Sequence, residues 1–381
     1  MCIISKLLKV IKTIKIQEIT KFNQFCKFRR DWNNVLERSI DDSILLTWEQ
    51  MAAIAKYLAK KQTIRILYAT NGKKIIGIAP LRQSKHTFRG HFNYTVLESL
   101  ASGYADYSGL ILAENETECL HLFLKYLFQK DDWDYLWIHD VPETSIIFNI
   151  LSRNSALFPK FEICEGQICP YIAIPDSMHA LLKSLSPKFR KNLRLSMKNL
   201  RKDHGKVEFK EYHEIYSLEQ AMHVFFDLHQ KRWETKGSPG AFWNKREREI
   251  YLNAAKIFAE RNWIRLYFLM VKDKPIAANY CYNYKGKMYS KLGGWDPAYS
   301  AYGPGNLLIM KTIEKCIEEN INEYDFMQGA ESYKFRWSNR YRRNLHLKFV
   351  NRNLASQITR FGIEASKKMQ VDGFLGKILS I

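Results

Sequence analysis

The chain has 381 residues, 46% hydrophobic and 14% aromatic, which suits two globular domains and excludes a disordered chain. Its 59 lysines and arginines outnumber 39 aspartates and glutamates, and the net charge of +20 predicts attraction to anions such as nucleic acid, anionic lipid, coenzyme A or phosphorylated sugars. The seven cysteines form no Cys-x-x-Cys pair, and no cluster of residues has metal-ligand spacing. We therefore expect reduced thiols, a cytoplasmic protein and no bound metal.

The termini raise the question of membrane contact. The sequence has no apolar run of about 18 residues, the length that a spanning helix needs. Residues 1–16 are punctuated by lysines, unlike the apolar core of a signal peptide. They fit a basic amphipathic helix lying on an anionic membrane, with residues 374–379 as a second apolar, basic patch. The alternative is that residues 10–16 are simply the first strand of the fold.

A first α/β segment is predicted between residues 64 and 138. Its predicted elements are a strand at 64–68, a turn at 71–72, a strand at 74–79, a helix at 116–129 and a strand at 134–138. Asp106 and Tyr107 lie at a predicted strand end in this segment. Since α/β folds place ligands beyond strand ends, both residues are candidates for substrate binding.

A strongly basic helix is predicted from Ser186 to Gly205, with Ser186 as N-cap, proline at the first helical position and Gly205 as C-cap. Its apolar stripe consists of Phe189, Leu193, Met197 and Leu200. The rest of its surface is covered by Lys188, Arg190, Lys191, Arg194, Lys198, Arg201 and Lys202. Two interpretations stay open: a solvated helix face, or an anion-binding face beside a cleft.

A second segment repeats the order of the first. Its predicted elements are strands at 264–268, 274–284 and 287–293, a helix at 305–319 and a strand at 324–326. The turn before its helix reads Gly303-Pro304-Gly305-Asn306. Such a turn is either an ordinary helix cap or a seat for a pyrophosphate, because the helix N-terminus presents free N–H groups and a positive dipole end.

The second segment resembles the acyl-CoA-binding half of GNAT-type acyltransferases. More narrowly, it resembles the branch associated with bacterial cell-surface polysaccharide synthesis, the cellulose-biosynthesis or BioF2-like type. The residues that carry the resemblance are 294–299, 303–305 and 324–337. Where that family tends to show an arginine and an acidic residue around a glycine, this chain has Gln328 and Ala330. The tandem arrangement is also similar to Fem-type transferases, and the resemblance extends over residues 25–349.

The resemblance implies an α/β fold of two tandem GNAT-like units packed together. We divide the chain into an N-terminal GNAT-like domain (1–175), a basic helical connector (176–205), a C-terminal acyl-CoA-binding domain (206–350) and a helical tail (351–381). Acetyl-CoA or another acyl-CoA is the implied co-substrate, and its predicted binding residues are Gly303, Pro304, Gly305 and Asn306. The first copy has Glu114 where the glycine turn would stand, so we predict a structural or acceptor-binding role for it.

GNAT enzymes transfer the acyl group by direct attack in a ternary complex, and this chain shows no serine elbow and no cysteine–histidine nucleophile. The predicted general bases are His229, which titrates near neutral pH, and Glu331, which follows a strand end. The other predicted substrate-binding residues are aromatic rings that can stack on sugars and cations that can bind anions. They are Trp295, Tyr333, Lys334, Arg336 and Trp337.

The resemblance thus implies an acyl-CoA-dependent acyltransferase, in the simplest case an acetyltransferase, acting on a sugar or lipid-linked precursor of surface polysaccharide. We expect a cytoplasmic protein, with peripheral contact to the anionic inner face of the membrane as an option, and no specific nucleic-acid partner. One alternative is a Fem-like transferase that uses aminoacyl-tRNA. Another is a non-catalytic anion-binding protein with a degenerate GNAT fold.

Overall fold

The computed structural model describes residues 13–58, 62–88 and 92–351, which divide into two compact units. The first unit contains the described residues up to 166 and those from 344 to 351, and the second contains residues 167–343. The N-terminal residues 1–12 and the patch at 374–379 lie outside the described residues, so the membrane interpretation stays a prediction. In the part that is described, no helix combines the length and apolarity needed to cross a membrane.

The first unit is a sheet with helices. Its strands are β1 (Ile14–Ile19), β2 (Thr63–Asn71), β3 (Lys74–Phe88), β4 (Phe92–Ser99), β5 (Ile111–Leu112) and β6 (Tyr135–Pro142). Its helices are α1 (Phe22–Lys27), α2 (Arg29–Glu37), α3 (Trp48–Leu58), α4 (Glu116–Phe128) and α5 (Ile146–Arg153), with 3-10 turns at Ile44–Leu46 and Ser155–Leu157. The predicted hairpin around residues 71–72 and the predicted helix at 116–129 are both confirmed.

The second unit has the same kinds of element. Its helices are α6 (Met178–Ser184), α7 (Pro187–His204), α8 (Leu218–Glu234), α9 (Lys245–Ala259) and α10 (Pro304–Glu318), with 3-10 turns at Tyr212–Glu214, Pro297–Tyr302 and Lys334–Arg336. Its own strands are β8 (Val207–Glu211), β9 (Ile264–Val271), β10 (Lys274–Tyr284), β11 (Lys287–Trp295) and β12 (Glu323–Asp325). The chain passes from one unit to the other within β7 (Phe161–Ala173) and again within β13 (Tyr341–Val350).

Strand pairing confirms the predicted repeat. In the first unit β1, β2, β3 and β4 pair antiparallel in that order, and β4 then pairs parallel with β6 across helix α4. In the second unit β8, β9, β10 and β11 pair in the same way, and β11 pairs parallel with β12 across helix α10. A parallel pair needs a crossover helix, so each copy contains the same βαβ unit at the same place.

The last strand of each sheet comes from a distant part of the chain. In the first unit, β6 takes residues 344–350 of β13 as its antiparallel partner. In the second unit, β12 takes residues 171–173 of β7. The basic helix α7, which the sequence-based division assigns to a connector, lies within the second unit. The functional division at residues 175, 205 and 350 stays a prediction.

Alternation along the strands builds a core in each unit. In the first unit, Leu136, Ile138, Leu347 and Phe349 are almost fully buried on one face of the sheet. In the second unit, helices α7 and α10 pack their apolar stripes in one cluster that includes Phe189, Leu193, Leu200, Leu307 and Ile313. Helix α7 begins as predicted, since the Phe189 N–H donates to Ser186 Oγ at 3.3 Å.

Candidate functional site

An opening lies between β11 and β12 in the second unit. Residues 287–289 pair with 323–325, but β11 continues for six more residues to Trp295 without β12 as a partner. Over those six residues β11 remains paired with β10. The chain that follows β12 instead remains hydrogen-bonded to β7, since the Phe326 N–H donates to the Pro170 carbonyl. The two parallel strands therefore part at their carboxyl ends, the end of an α/β sheet at which ligands bind.

A β-bulge accounts for the parting of the strands. Tyr280 pairs with Leu292 and Cys281 pairs with Ser290, which leaves Lys291 as an extra residue in β11. A bulge bends its strand and strengthens its twist, and this one comes directly after the last pairing with β12. In the first unit, β3 and β4 pair without a bulge, and β4 ends at Ser99, one residue after its last pairing with β6. The opening is therefore a feature of the second copy.

The glycine turn lies at the same end of the sheet as the opening, because α10 begins where β11 has ended. Gly303 adopts the left-handed conformation (φ 56°), Pro304 occupies the first helical position, and no side chain caps the helix. Among the described residues, the Gly305 N–H has no acceptor, while the N–H groups of Asn306 and Leu307 bond to the Gly303 carbonyl. The helix thus presents a free donor and its positive dipole end beside the opening.

Charges around the two equivalent helix starts differ. Helix α4 begins after Glu114, which pairs with Lys74 and Arg38, and carries two further glutamates in its first turn. Helix α10 has no acid in its first turn, and Lys231 and Lys274 lie 3.5 and 3.4 Å from Asp296, just upstream. An anion is therefore repelled at α4 and favoured at α10.

His229 is buried in helix α8, with 1% of its surface exposed. Its Nε2 accepts a hydrogen bond from Trp233 Nε1 at 3.0 Å, and its ring packs edge-on against Phe242 at 4.7 Å. Since an indole only donates, the histidine is neutral with its proton on Nδ1. Burial, followed by the charge of Arg232, lowers the pKa of His229 to about 3. Its role as general base stays a prediction, and the geometry favours the other candidate.

Glu331 lies beyond the end of β12, with its side chain 55% exposed. Its carboxylate is 3.0 Å from Lys334 Nζ, which is buried and also donates to the carbonyls of Met327 and Gln328. Lys334 thus holds the backbone after β12, and its ammonium is already shared among three oxygens. Glu331 remains accessible beyond the carboxyl end of β12, on the β12 side of the opening.

Two further residues lie near Glu331 or β11. The Tyr333 ring lies edge-on to the Phe326 ring, with 6.4 Å between the two ring centroids. Burial, followed by the charge of Glu331, raises the pKa of Tyr333 to about 12, so its phenol keeps its proton at neutral pH. On the β11 side, Arg232 donates to the Gly293 carbonyl at 2.9 Å and lowers the pKa of Tyr333 through its charge. Sequence reasoning missed Arg232, although it lies only three residues after the candidate base His229.

The remaining candidates divide into exposed and buried groups. Arg336 is exposed, and its side chain has no ion-pair partner among the residues that the structure describes. Trp295 lies against the turn, 3.5 Å from where a Cβ on Gly305 would be. Trp337 is 3% exposed and donates to Asn306 Oδ1 at 3.3 Å, which places it in the core under the turn. Asp106 and the buried Tyr107 lie in the first unit, where Asn344 donates to the Asp106 carbonyl.

Comparison with known proteins agrees with this topology. The family profile of the acetyltransferase (GNAT) domain matches residues 187–335. These residues form a GNAT domain. The domain begins with α7 and ends in the Lys334–Arg336 turn, so it contains the bulged strand, the opening and the glycine turn. The enzyme class that goes with a GNAT domain is acyltransferase.

Solved structures with a similar fold cover nearly the whole chain. FemX is 12% identical, with a TM-score of 0.62 over 91% of this chain and 99% of its own. L-PGS from Bacillus licheniformis is 11% identical (TM-score 0.52, covering 87% and 96%), and the C-terminal domain of a putative lysylphosphatidylglycerol synthetase from Agrobacterium fabrum is 9% identical (0.51, covering 90% and 96%). These likenesses extend the GNAT-type fold to both copies. No curated protein sequence matches the chain significantly.

Proposed function

We propose that this protein transfers an acyl group, in the simplest case acetyl, from coenzyme A to a sugar or lipid-linked precursor of cell-surface polysaccharide. The assignment of coenzyme A as the donor rests on one observation. The bulge in β11 opens a gap between β11 and β12, and this gap lies beside a glycine turn that no side chain caps. We place the thioester arm between the strands and the diphosphate at the turn, where the helix N-terminus favours an anion. The acceptor class rests on the sequence resemblance to polysaccharide-associated acyltransferases.

The proposed reaction is direct attack on the thioester. The acceptor amine or hydroxyl gives its proton to the Glu331 carboxylate as its nitrogen or oxygen bonds to the thioester carbon. The open edge of β11 supplies a backbone N–H for the oxyanion. The carbon–sulfur bond breaks, and the Tyr333 phenol donates its proton to the thiolate. Water then returns a proton to Tyr333 and removes one from Glu331.

Aminoacyl-tRNA is the alternative donor. The fold likeness to FemX and the excess of basic residues favour it. Against it stands the glycine turn, whose single free N–H and uncapped dipole suit a compact diphosphate.

Calorimetry with acetyl-CoA and with unfractionated aminoacylated tRNA, at about 0.15 M salt, separates the donors. We expect saturable binding of acetyl-CoA and only weak, salt-sensitive binding of tRNA. Tight tRNA binding with no acetyl-CoA binding would establish the alternative. Failure of both would overturn the acetyl-CoA and the tRNA assignments and favour the non-catalytic alternative.

Peripheral membrane contact is a separate part of the proposal, motivated by the basic, apolar sequence of residues 1–12; residues 14–16 belong to strand β1, as the alternative interpretation predicts. Co-sedimentation with vesicles tests it. We expect binding that requires anionic lipid, weakens in high salt and disappears when residues 1–9 are deleted. Equal sedimentation of the truncated and full-length proteins would exclude this contact.

A further inference from the structure

A groove of about 710 Å³ lies in the second unit between helices α6, α7 and α10. One side of it carries five basic residues of α7: Arg190, Lys191, Arg194, Lys198 and Arg201. Its floor is apolar and consists of Leu182, Leu193, Met197 and Met310. We call it the α7 groove. Its volume is that of a pocket for one small organic ligand.

The cations of the α7 groove are not neutralised by the protein. Within the described ranges, none of the five makes an ion pair or a side-chain hydrogen bond, whereas Lys315 and Lys231 in the same unit pair with carboxylates. The acid at the end of α7, Asp203, accepts instead from the Tyr302 hydroxyl at 2.9 Å. Like charges four residues apart destabilise a helix, so the uncompensated row of cations indicates an anionic ligand.

Contacts place the α7 groove near the glycine turn. At the start of α7, Phe189 stacks edge-on against Trp337 at 5.1 Å, and Trp337 bonds to Asn306 in the first turn of α10. Met310, in the floor of the groove, lies four residues after Asn306 and therefore on the same face of α10. A ligand held at the turn would therefore reach the groove if it extended one helical turn along that face.

We propose that the α7 groove binds the 3′-phosphoadenosine end of acyl-CoA, an inference that rests on the proposed function. This end of coenzyme A combines a flat purine with a phosphate dianion, and the groove combines an apolar floor with a basic side. Arginine forks match phosphate oxygens, and methionine side chains adapt to an aromatic ring. RNA would bind the cations through its phosphates but would not require the apolar floor.

Calorimetry on the full-length protein with coenzyme A and with 3′-dephospho-coenzyme A tests the proposal. We expect the dissociation constant for the dephospho form to be about 10- to 100-fold higher, the effect of losing charge-assisted hydrogen bonds. The double variant Arg194→Gln/Lys198→Gln should lose the same factor for coenzyme A and change little for the dephospho form. Lys202→Gln is the matched control, since Lys202 is exposed on α7 but does not line the groove.

Each other outcome is informative. Equal affinity for the two forms, unaffected by the double variant, would overturn the groove assignment and leave the acyl-CoA function intact. No binding of either form would overturn the function as well. If the double variant instead weakened binding of tRNA or of anionic vesicles while the preference for the 3′-phosphate persisted, the groove would belong to that other ligand.

Discussion

At the residue scale, Gly303 and Gly305 serve the turn for different reasons. Gly303 needs its left-handed backbone, whereas a Cβ on Gly305 would make only an ordinary contact with Trp295 at 3.5 Å. The Gly305 position therefore tolerates a small side chain but, in our proposal, no negative charge.

Gly305→Asp should lower acetyl-CoA affinity by about 30- to 1000-fold, because it places a carboxylate where the diphosphate binds. Gly305→Ala, the matched control, should stay within about threefold of the wild type in calorimetry. Unchanged affinity of a folded Gly305→Asp protein would remove the turn from the donor site.

Glu331→Gln should lower kcat by about 10²- to 10⁴-fold and leave acetyl-CoA affinity unchanged, since the amide cannot accept the proton of the acceptor. Steady-state kinetics measures the first effect and calorimetry the second. Glu318→Gln is the control, because Glu318 is similarly exposed and also pairs with a lysine three residues away. Full activity of Glu331→Gln, together with loss of activity in His229→Gln, would restore His229 as the base.

His229 should make stability depend on pH. Its pKa is about 3 in the folded protein and about 6.5 in the unfolded chain, so between these values only the unfolded state binds the proton. Stability is therefore lost as the pH falls below 6.5, by about 2 kcal/mol at pH 5. In urea unfolding, His229→Gln should lose about 2 kcal/mol less than the wild type between pH 7 and 5. Burial also lowers the pKa of His139 to about 4. Because His139 is present in both proteins, its contribution cancels when their stabilities are compared. Parallel profiles would contradict this prediction.

At the scale of elements, helix α8 lies unusually close to strand β11. A Cβ on Gly294 would lie 2.3 Å from the backbone nitrogen of His229, so the helix and the strand touch through their backbones. This contact sets Arg232, one turn later, against the Gly293 carbonyl. The position of the Arg232 side chain beside the opening therefore depends on residue 294 being a glycine, which has no Cβ.

Gly294→Ala should destabilise the protein by about 3 kcal/mol, because backbone atoms have to move apart to admit the methyl group. The neighbouring Gly293→Ala should change stability by less than about 1 kcal/mol, since its nearest contact would be the Ala278 carbonyl at 3.5 Å. Chemical denaturation of both variants measures the difference. Similar stabilities would mean that α8 shifts freely over β11.

The hairpins, the basic helix and the glycine turn could be predicted because each depends on local signals: β-forming runs, a Ser-Pro start and a Gly-Pro-Gly turn. The bulge at Lys291 could not, because nothing in the local sequence distinguishes an extra residue from a paired one. The environments of His229 and Lys334 were also out of reach, since burial depends on contacts with Phe242 and with the backbone after β12. The sequence therefore identified candidate residues for the site but not which of them are buried.

At the scale of the whole molecule, the first unit depends on residues from the far end of the chain. Leu347 and Phe349 of β13 are fully buried in its core, and Lys348 between them lies on the other face, half-buried and 5.0 Å from the Tyr135 ring. A strand that enters the sheet so late in the sequence is as much a part of the core as β6.

Leu347→Ala should destabilise the first unit by about 2–5 kcal/mol, the usual effect of a cavity in a packed core. Lys348→Ala, one residue away, should have an effect of less than about 1 kcal/mol. Hydrogen exchange of β6 amides reports on the first unit directly and should accelerate in the Leu347 variant. Equal protection in the two variants would show that β13 contributes little to this sheet.

Each unit completes its sheet with a strand from a distant part of the chain, and this sets the order in which the two units can be completed during synthesis on the ribosome. When the first 166 residues have emerged, β6 still has an unpaired edge, because its partner is made about 180 residues later. The second unit can complete its sheet first. Both β12 and its partner segment of β7 lie within residues 167–343, which are made before residues 344–350. The N-terminal half of the protein is thus the last to be finished, and a chaperone that shields exposed strand edges would act on the part that was translated first.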